Sequence, residues 1–162
     1  MIPVGDSPRS ATTPWVTYAI ILINVIVFVR MLGLSTETSG TTNADIREQT
    51  NGICYGFRTG ADDVNRFYCR WAFQPREFFD TVKGESQATN PMPGLVIFSL
   101  IASIFIHGGL LHIGGNMLFL WVFGDNVEDR LGHLKYLFFY LAAGVAATLA
   151  QGFAEPNSVV PA

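Results

Sequence analysis

From residue 94 to residue 124 the chain runs 31 positions without an Asp, Glu, Lys or Arg. A water-soluble chain of 162 residues exposes too much surface to keep so long a run from solvent. Lipid is the environment that suits it. As one straight helix the run would reach roughly 46 Å, well beyond a hydrocarbon core of about 30 Å. It is therefore expected to break, and Gly108-Gly109 is the expected place, because glycine adopts conformations closed to other residues. Residues 94–107 then read as an embedded segment and 108–124 as a crossing helix.

Composition points the same way. Charged residues make up 14% of the chain, hydrophobic residues 49%, and mean hydropathy is +0.32; soluble domains carry roughly a quarter charged residues. The net charge of −3 gives no electrostatic case for a nucleic-acid partner, and the apolar content excludes disorder. Two further apolar runs complete the pattern. Residues 15–34 are interrupted only by Thr17, Tyr18, Asn24 and Arg30, the last close enough to an end to snorkel. They lack the basic n-region and cleavage site of a signal peptide. The third run, 137–152, has Lys135 and Tyr136 at its mouth and reads as a helix over 136–153. Its Gly144, Thr148 and Gly152 form a ladder of small residues that permits close helix contact. The expected fold is all-α: a polytopic membrane bundle with three transmembrane helices, whose first partner is the lipid bilayer.

The remaining segments are a tail over 1–14, a long polar loop over 35–93, a turn over 125–135 and a tail over 154–162. In the turn, Asn126 is placed to cap a short helix with Asp129 at its third position and Gly132 at its end. Such a tight turn makes the second and third crossings antiparallel neighbours. The loop holds the chain's two cysteines, Cys54 and Cys69, which form one disulfide if the loop faces an oxidising compartment and are free thiols otherwise. Pro75 opens a helical pattern over 75–83, with Phe78, Phe79 and Val82 on one face and Arg76, Glu77 and Asp80 on the other. Lying in the membrane interface and packing on the rest of the loop both fit that pattern. Orientation is weakly encoded. Arg9, Arg130 and Lys135 in the short segments favour a cytoplasmic N-terminus, in a plasma (inner) membrane.

Three polar side chains interrupt the charge-free run: His107, His112 and Asn116. Polar groups at membrane depth are costly unless they find partners. His112 and Asn116 are four apart, so a helix projects both from one face. Both can donate hydrogen bonds, and a pair of aimed donors in a low dielectric is what an oxyanion requires. The same pair would equally bond a neighbouring helix and hold a bundle together, or line a polar path through a transporter or channel. His107 lies five residues before His112, off its helical face, so a two-histidine metal site is a poor reading. His133, in the polar turn, reads as a solvated surface histidine. No metal or cofactor is expected.

The stretch Phe105-Ile106-His107-Gly108-Gly109-Leu110-Leu111-His112-Ile113-Gly114-Gly115-Asn116 resembles the second-helix signature of rhomboid intramembrane serine proteases, His-x4-His-x3-Asn. The turn Phe123-Gly124-Asp125-Asn126-Val127-Glu128-Asp129-Arg130-Leu131-Gly132 resembles the segment that follows it in that family, and 15–29 and 140–151 its first and third helices. The resemblance implies a bundle of six or seven helices that cleaves transmembrane protein substrates, using a serine in a Gly-x-Ser-Gly motif and a histidine base on later helices. It implies that His112 and Asn116 help bind the oxyanion and that His107 supports them. It also implies a first loop on the non-cytoplasmic side. The sequence departs from the family in three ways. It contains no Gly-x-Ser-Gly, since Ser7, Ser35 and Ser86 follow Gly-x without a second glycine. No histidine follows His133, and the family's Trp-Arg pair is reversed as Arg70-Trp71. The expectation is a rhomboid fragment, or a non-catalytic relative that binds transmembrane helices. Taken as a fragment, the chain ends before the nucleophile motif, lacks the C-terminal helices of the fold and is inactive alone.

Overall fold

The computed structural model describes residues 12–34, 63–84 and 93–158. Residues 1–11, most of the long loop, Cys54 and residues 159–162 lie outside the described residues. Among the described residues there is no strand. The helices are α1 (Trp15–Leu32), α2 (Asp63–Trp71), α3 (Pro75–Lys83), α4 (Pro93–Ala102), α5 (Leu110–Phe119), α6 (Asp125–Leu131) and α7 (His133–Ala154). α1 and α7 are long and apolar enough to cross a membrane, and Val96–Phe105 with Leu110–Leu131 adds a third if that broken pair is one span. Their apolar side chains face outward, as lipid requires: Leu22, Ile26 and Val29 on α1, Leu111 and Phe119 on α5, and Phe138 and Phe139 on α7 are exposed. The chain is an integral membrane protein.

The charge-free run does break. α4 tightens into a 3-10 turn at Ser103–Phe105, and residues 106–109 are not helical before α5 begins at Leu110. Glycine's conformational freedom is not the cause. Gly109 has φ 177°, an extended backbone open to any residue, and among the described residues only Gly84 and Gly132 adopt the left-handed conformation. Beyond α5 the helix continues through a π turn at Leu120–Gly124 into α6 without a gap. Asn126 therefore has no free helix start to cap, contrary to the pattern of the turn. Gly132, with φ 79°, ends α6 where expected.

The described residues divide into two units, one formed by those up to Val29 with Phe105–Ala143, the other by those within Arg30–Ile104 with those from Gly144 onward. In the first, α1 buries Thr17, Ile20, Asn24 and Phe28, a stripe at helical spacing. Asn24 donates its side-chain N–H to the Ile20 carbonyl at 2.8 Å, which satisfies one buried polar group within the helix itself. Tyr18 and Trp121 pair their rings at 6.3 Å. Gly124 is where the packing is tightest: a Cβ there would stand 2.8 Å from Thr17 Cγ2 and 2.9 Å from the Tyr136 hydroxyl. Gly124→Ala is expected to lower stability by about 1–3 kcal/mol through overpacking. Gly114→Ala, whose Cβ would meet nothing within 4 Å beyond its own stretch of helix backbone, serves as the control that should not. Thermal unfolding of the two variants in the same detergent checks this.

In the second unit Phe73 is fully buried and anchors an aromatic cluster, with Phe78 at 5.4 Å, and Phe79 meets Phe153 at 5.1 Å with the rings tilted. Gly152 leaves room for Phe73, which a Cβ would approach to 2.9 Å, and Gly144 does the same for Ile104 at 2.6 Å. The Phe73 amide donates to Ser103 Oγ at 2.6 Å, and the Arg76 amide to the Ser158 carbonyl at 3.0 Å. α3 starts on Pro75, whose missing N–H costs nothing there, and stops at Gly84 in the left-handed conformation. Phe78 and Phe79 pack inward and Arg76 is exposed, as the sequence pattern has them, but two residues depart from it. Glu77 is buried and Val82 is 66% exposed. Glu77 sits in the first turn of α3, where the helix dipole favours a carboxylate.

Candidate functional site

The break between α4 and α5 sets up the polar cluster. Because residues 106–109 are not helical, His107 does not continue the face of α5 that its sequence position implies. Its ring folds back onto the helix and is buried, with Nε2 2.9 Å from Asn116 Nδ2. The ring of His112, in the first turn of α5, meets the His107 ring edge to face at 5.1 Å between centroids. His107 Nδ1 lies 3.4 Å from the Phe105 carbonyl. The structure thus brings together all three polar residues of the run, where spacing alone pairs only His112 and Asn116. His112 and Asn116 occupy an exposed face of α5 whose neighbours, Leu111 and Phe119, are apolar and uncovered. Two hydrogen-bond donors one helical turn apart, framed by apolar side chains, can stabilise developing negative charge on one oxygen. No group of three or more His, Cys, Asp or Glu among the described residues is arranged to hold a metal.

Cys69 is buried and disulfide-bonded. Arg70, the first half of the reversed pair, lays its guanidinium over the Trp71 ring at 5.4 Å.

A second cluster was not legible in the sequence. Glu128 of α6 is 1% exposed and reaches the start of α1. One carboxylate oxygen accepts the Val16 amide at 2.9 Å, and the other accepts the Thr17 amide at 2.8 Å and the Thr17 hydroxyl at 2.7 Å. These amides are among the donors that a helix start leaves without intrahelical partners, so Glu128 caps α1 from another helix. His133 hydrogen-bonds the same carboxylate rather than standing alone in solvent. Asp129, read as the third residue of a helix capped by Asn126, accepts the Thr12 amide at 2.9 Å and hydroxyl at 2.7 Å. Burial pushes the Glu128 carboxyl up, but the bonds from His133, Val16 and Thr17 together outweigh it and hold it below the ordinary carboxylate range.

Comparison with known proteins gives one consistent result. The family profile described as Rhomboid domain matches residues 95–161. The chain is 26% identical over 158 residues to RHOMBOID-like protein 6, mitochondrial, of Arabidopsis thaliana, covering 91% of this chain and 46% of that protein. It is 33% identical over 115 residues to Presenilin-associated rhomboid-like protein, mitochondrial, of Bos taurus, covering 69% and 30%. Over 57 residues it is 37% identical to Rhomboid protease GluP of Bacillus subtilis (strain 168), covering 35% and 11%. The chain thus spans less than half the length of these relatives. No solved structure matches it.

Proposed function

This chain belongs to the rhomboid family, and from that membership we propose that it supplies the oxyanion-binding part of a serine endopeptidase that cleaves transmembrane protein substrates within the bilayer. The observation that carries the reading is the cluster on α5: His112 and Asn116 on one uncovered face, with His107 bonded to Asn116. In this reading a serine outside the 162 residues attacks the scissile carbonyl, a histidine outside them takes the serine's proton, and the carbonyl oxygen gains negative charge. His112 and Asn116 donate N–H groups to that oxygen, in a site whose apolar surroundings strengthen the interaction. Without attacking serine and base, the 162 residues alone have no covalent route.

The test has two arms. The coding sequence downstream of Ala162 is expected to contain a Gly-x-Ser-Gly motif. The native-length protein is expected to cleave a transmembrane reporter that the 162-residue chain leaves intact. A native-length protein that inserts, carries no such serine and binds transmembrane helices without cutting them would replace this reading with the non-catalytic one.

The topology that accompanies it has residues 1–14 and 125–135 on one side, cytoplasmic in a plasma or inner membrane, and the 35–93 loop on the other. The bonds from Thr12, Val16 and Thr17 to Asp129 and Glu128 support a shared side for the first two. The disulfide of Cys69 is then assigned to Cys54, in an oxidising compartment. Closing a loop of that length stabilises it by about 3 kcal/mol. Mass measurement of protein from its native host under non-reducing conditions should find both thiols lost. Two free thiols would reject the pairing.

A further inference from the structure

We infer that His107 is a positioning residue: held as the Nδ1–H tautomer by the Phe105 carbonyl, it accepts one N–H of the Asn116 amide and so fixes which way that amide points. The inference rests on the oxyanion reading of Asn116 and adds to it how the donor is aimed.

The Phe105 carbonyl can only accept, so His107 Nδ1, 3.4 Å away, carries the proton. In a neutral imidazole the other nitrogen is then a bare lone pair, and Nε2 can only accept. Asn116 presents its Nδ2 to that lone pair at 2.9 Å, and an amide nitrogen can only donate. Turned the other way, Asn116 would set its carbonyl oxygen against the Nε2 lone pair, two acceptors face to face. One end of the chain is backbone, so it does not rotate. The ring is also confined: His107 is 4% exposed, and the His112 ring packs against it at 5.1 Å. Asn116 lies on the exposed face of α5, and among the described residues its side chain bonds to His107 alone. Without His107 it would sample several rotamers. With it, one amide hydrogen is committed, and the second, rigidly related to the first, is the one left to meet an oxygen.

A purely structural histidine would not need this tautomer or this acceptor. The first measurement is ring-nitrogen NMR of the 162-residue chain labelled at histidine nitrogens, in detergent micelles. His107, identified by its loss in His107→Gln, is expected to show a protonated Nδ1 and a bare Nε2, with the Nε2 signal shifting in Asn116→Ala. A protonated Nε2, or an Nε2 signal indifferent to Asn116→Ala, overturns the inference. The second measurement is kinetics of the native-length protein. His107→Leu is expected to lower kcat by about 10²-fold at unchanged KM, the scale of a small misplacement of a reacting group. His107→Gln, whose side-chain oxygen can accept the same N–H, should recover most of the loss, and His107→Leu should add nothing in an Asn116→Ala background. Equal, additive losses in the Leu and Gln variants with lowered thermal stability would make His107 structural. If the native-length protein cleaves nothing at all, the oxyanion reading fails while the NMR result still decides the positioning.

Discussion

Glu128→Ala is expected to lower the stability of the chain by about 3–5 kcal/mol, because it leaves buried donors without acceptors. Three of them, the Val16 amide, the Thr17 amide and the Thr17 hydroxyl, end on this one carboxylate, and Thr17 is 1% exposed. Water has little access to replace the lost oxygens, and the neighbouring Asp129 is already bonded to Thr12. Glu128→Gln keeps the shape but turns one acceptor into a donor, so a smaller loss is expected. The pH dependence separates charge from shape. The folded carboxyl lies below the ordinary value of 4.5. The stability it contributes is therefore complete above that value and is lost as pH falls through the folded one. Wild type should lose thermal stability on acidification below 4.5 more steeply than Glu128→Gln, which has no carboxyl to protonate. Matching pH profiles in the two proteins, or a loss below 1 kcal/mol in Glu128→Ala, would show that the cap on α1 is not what holds this unit together.

The parts of the molecule visible in its sequence are those set by local periodicity and by the thickness of a bilayer. A 31-residue run without charge had to break, and it does so over residues 106–109. The i, i+4 spacing of His112 and Asn116 needed only a helix, and α5 supplies it. Spacing did not place His107, because extrapolating a helix back through the break puts its ring on the wrong face, whereas non-helical backbone returns it to Asn116; only the family resemblance implied that it supports the pair. Glu128 was hidden differently. Thr17 is 111 positions away, and among Asp125, Glu128 and Asp129 nothing local marks the one that is buried. On α3, Phe78 and Phe79 pack inward and Arg76 is exposed as read, while Glu77 and Val82 depart from the pattern: amphipathic patterning presumes one apolar side, and the first turn of a helix can bury an acid at its positive end. Side chains that act across the fold, rather than along one helix, carry no periodic signal.

In the native-length protein, Asn116→Ala and His112→Ala are each expected to lower kcat by about 10²–10³-fold, the usual cost of one oxyanion donor, or roughly 2.7–4 kcal/mol of transition-state stabilisation. Stability should move far less. Both side chains lie on the exposed face of α5, and the bond Asn116 makes to His107 is a single neutral hydrogen bond, worth about 1 kcal/mol net. The two effects therefore separate. A donor that matters only when charge develops costs rate without costing fold, and it leaves KM nearly unchanged because the ground-state carbonyl needs it less. A residue whose task is to hold helices together costs both in proportion. Thermal unfolding and cleavage of a transmembrane reporter, measured on the same solubilised variants, give the two numbers side by side. Loss of rate with a retained melting temperature supports the oxyanion assignment. Parallel loss of both assigns His112 and Asn116 to the architecture of the bundle, and full cleavage in both variants removes them from the chemistry.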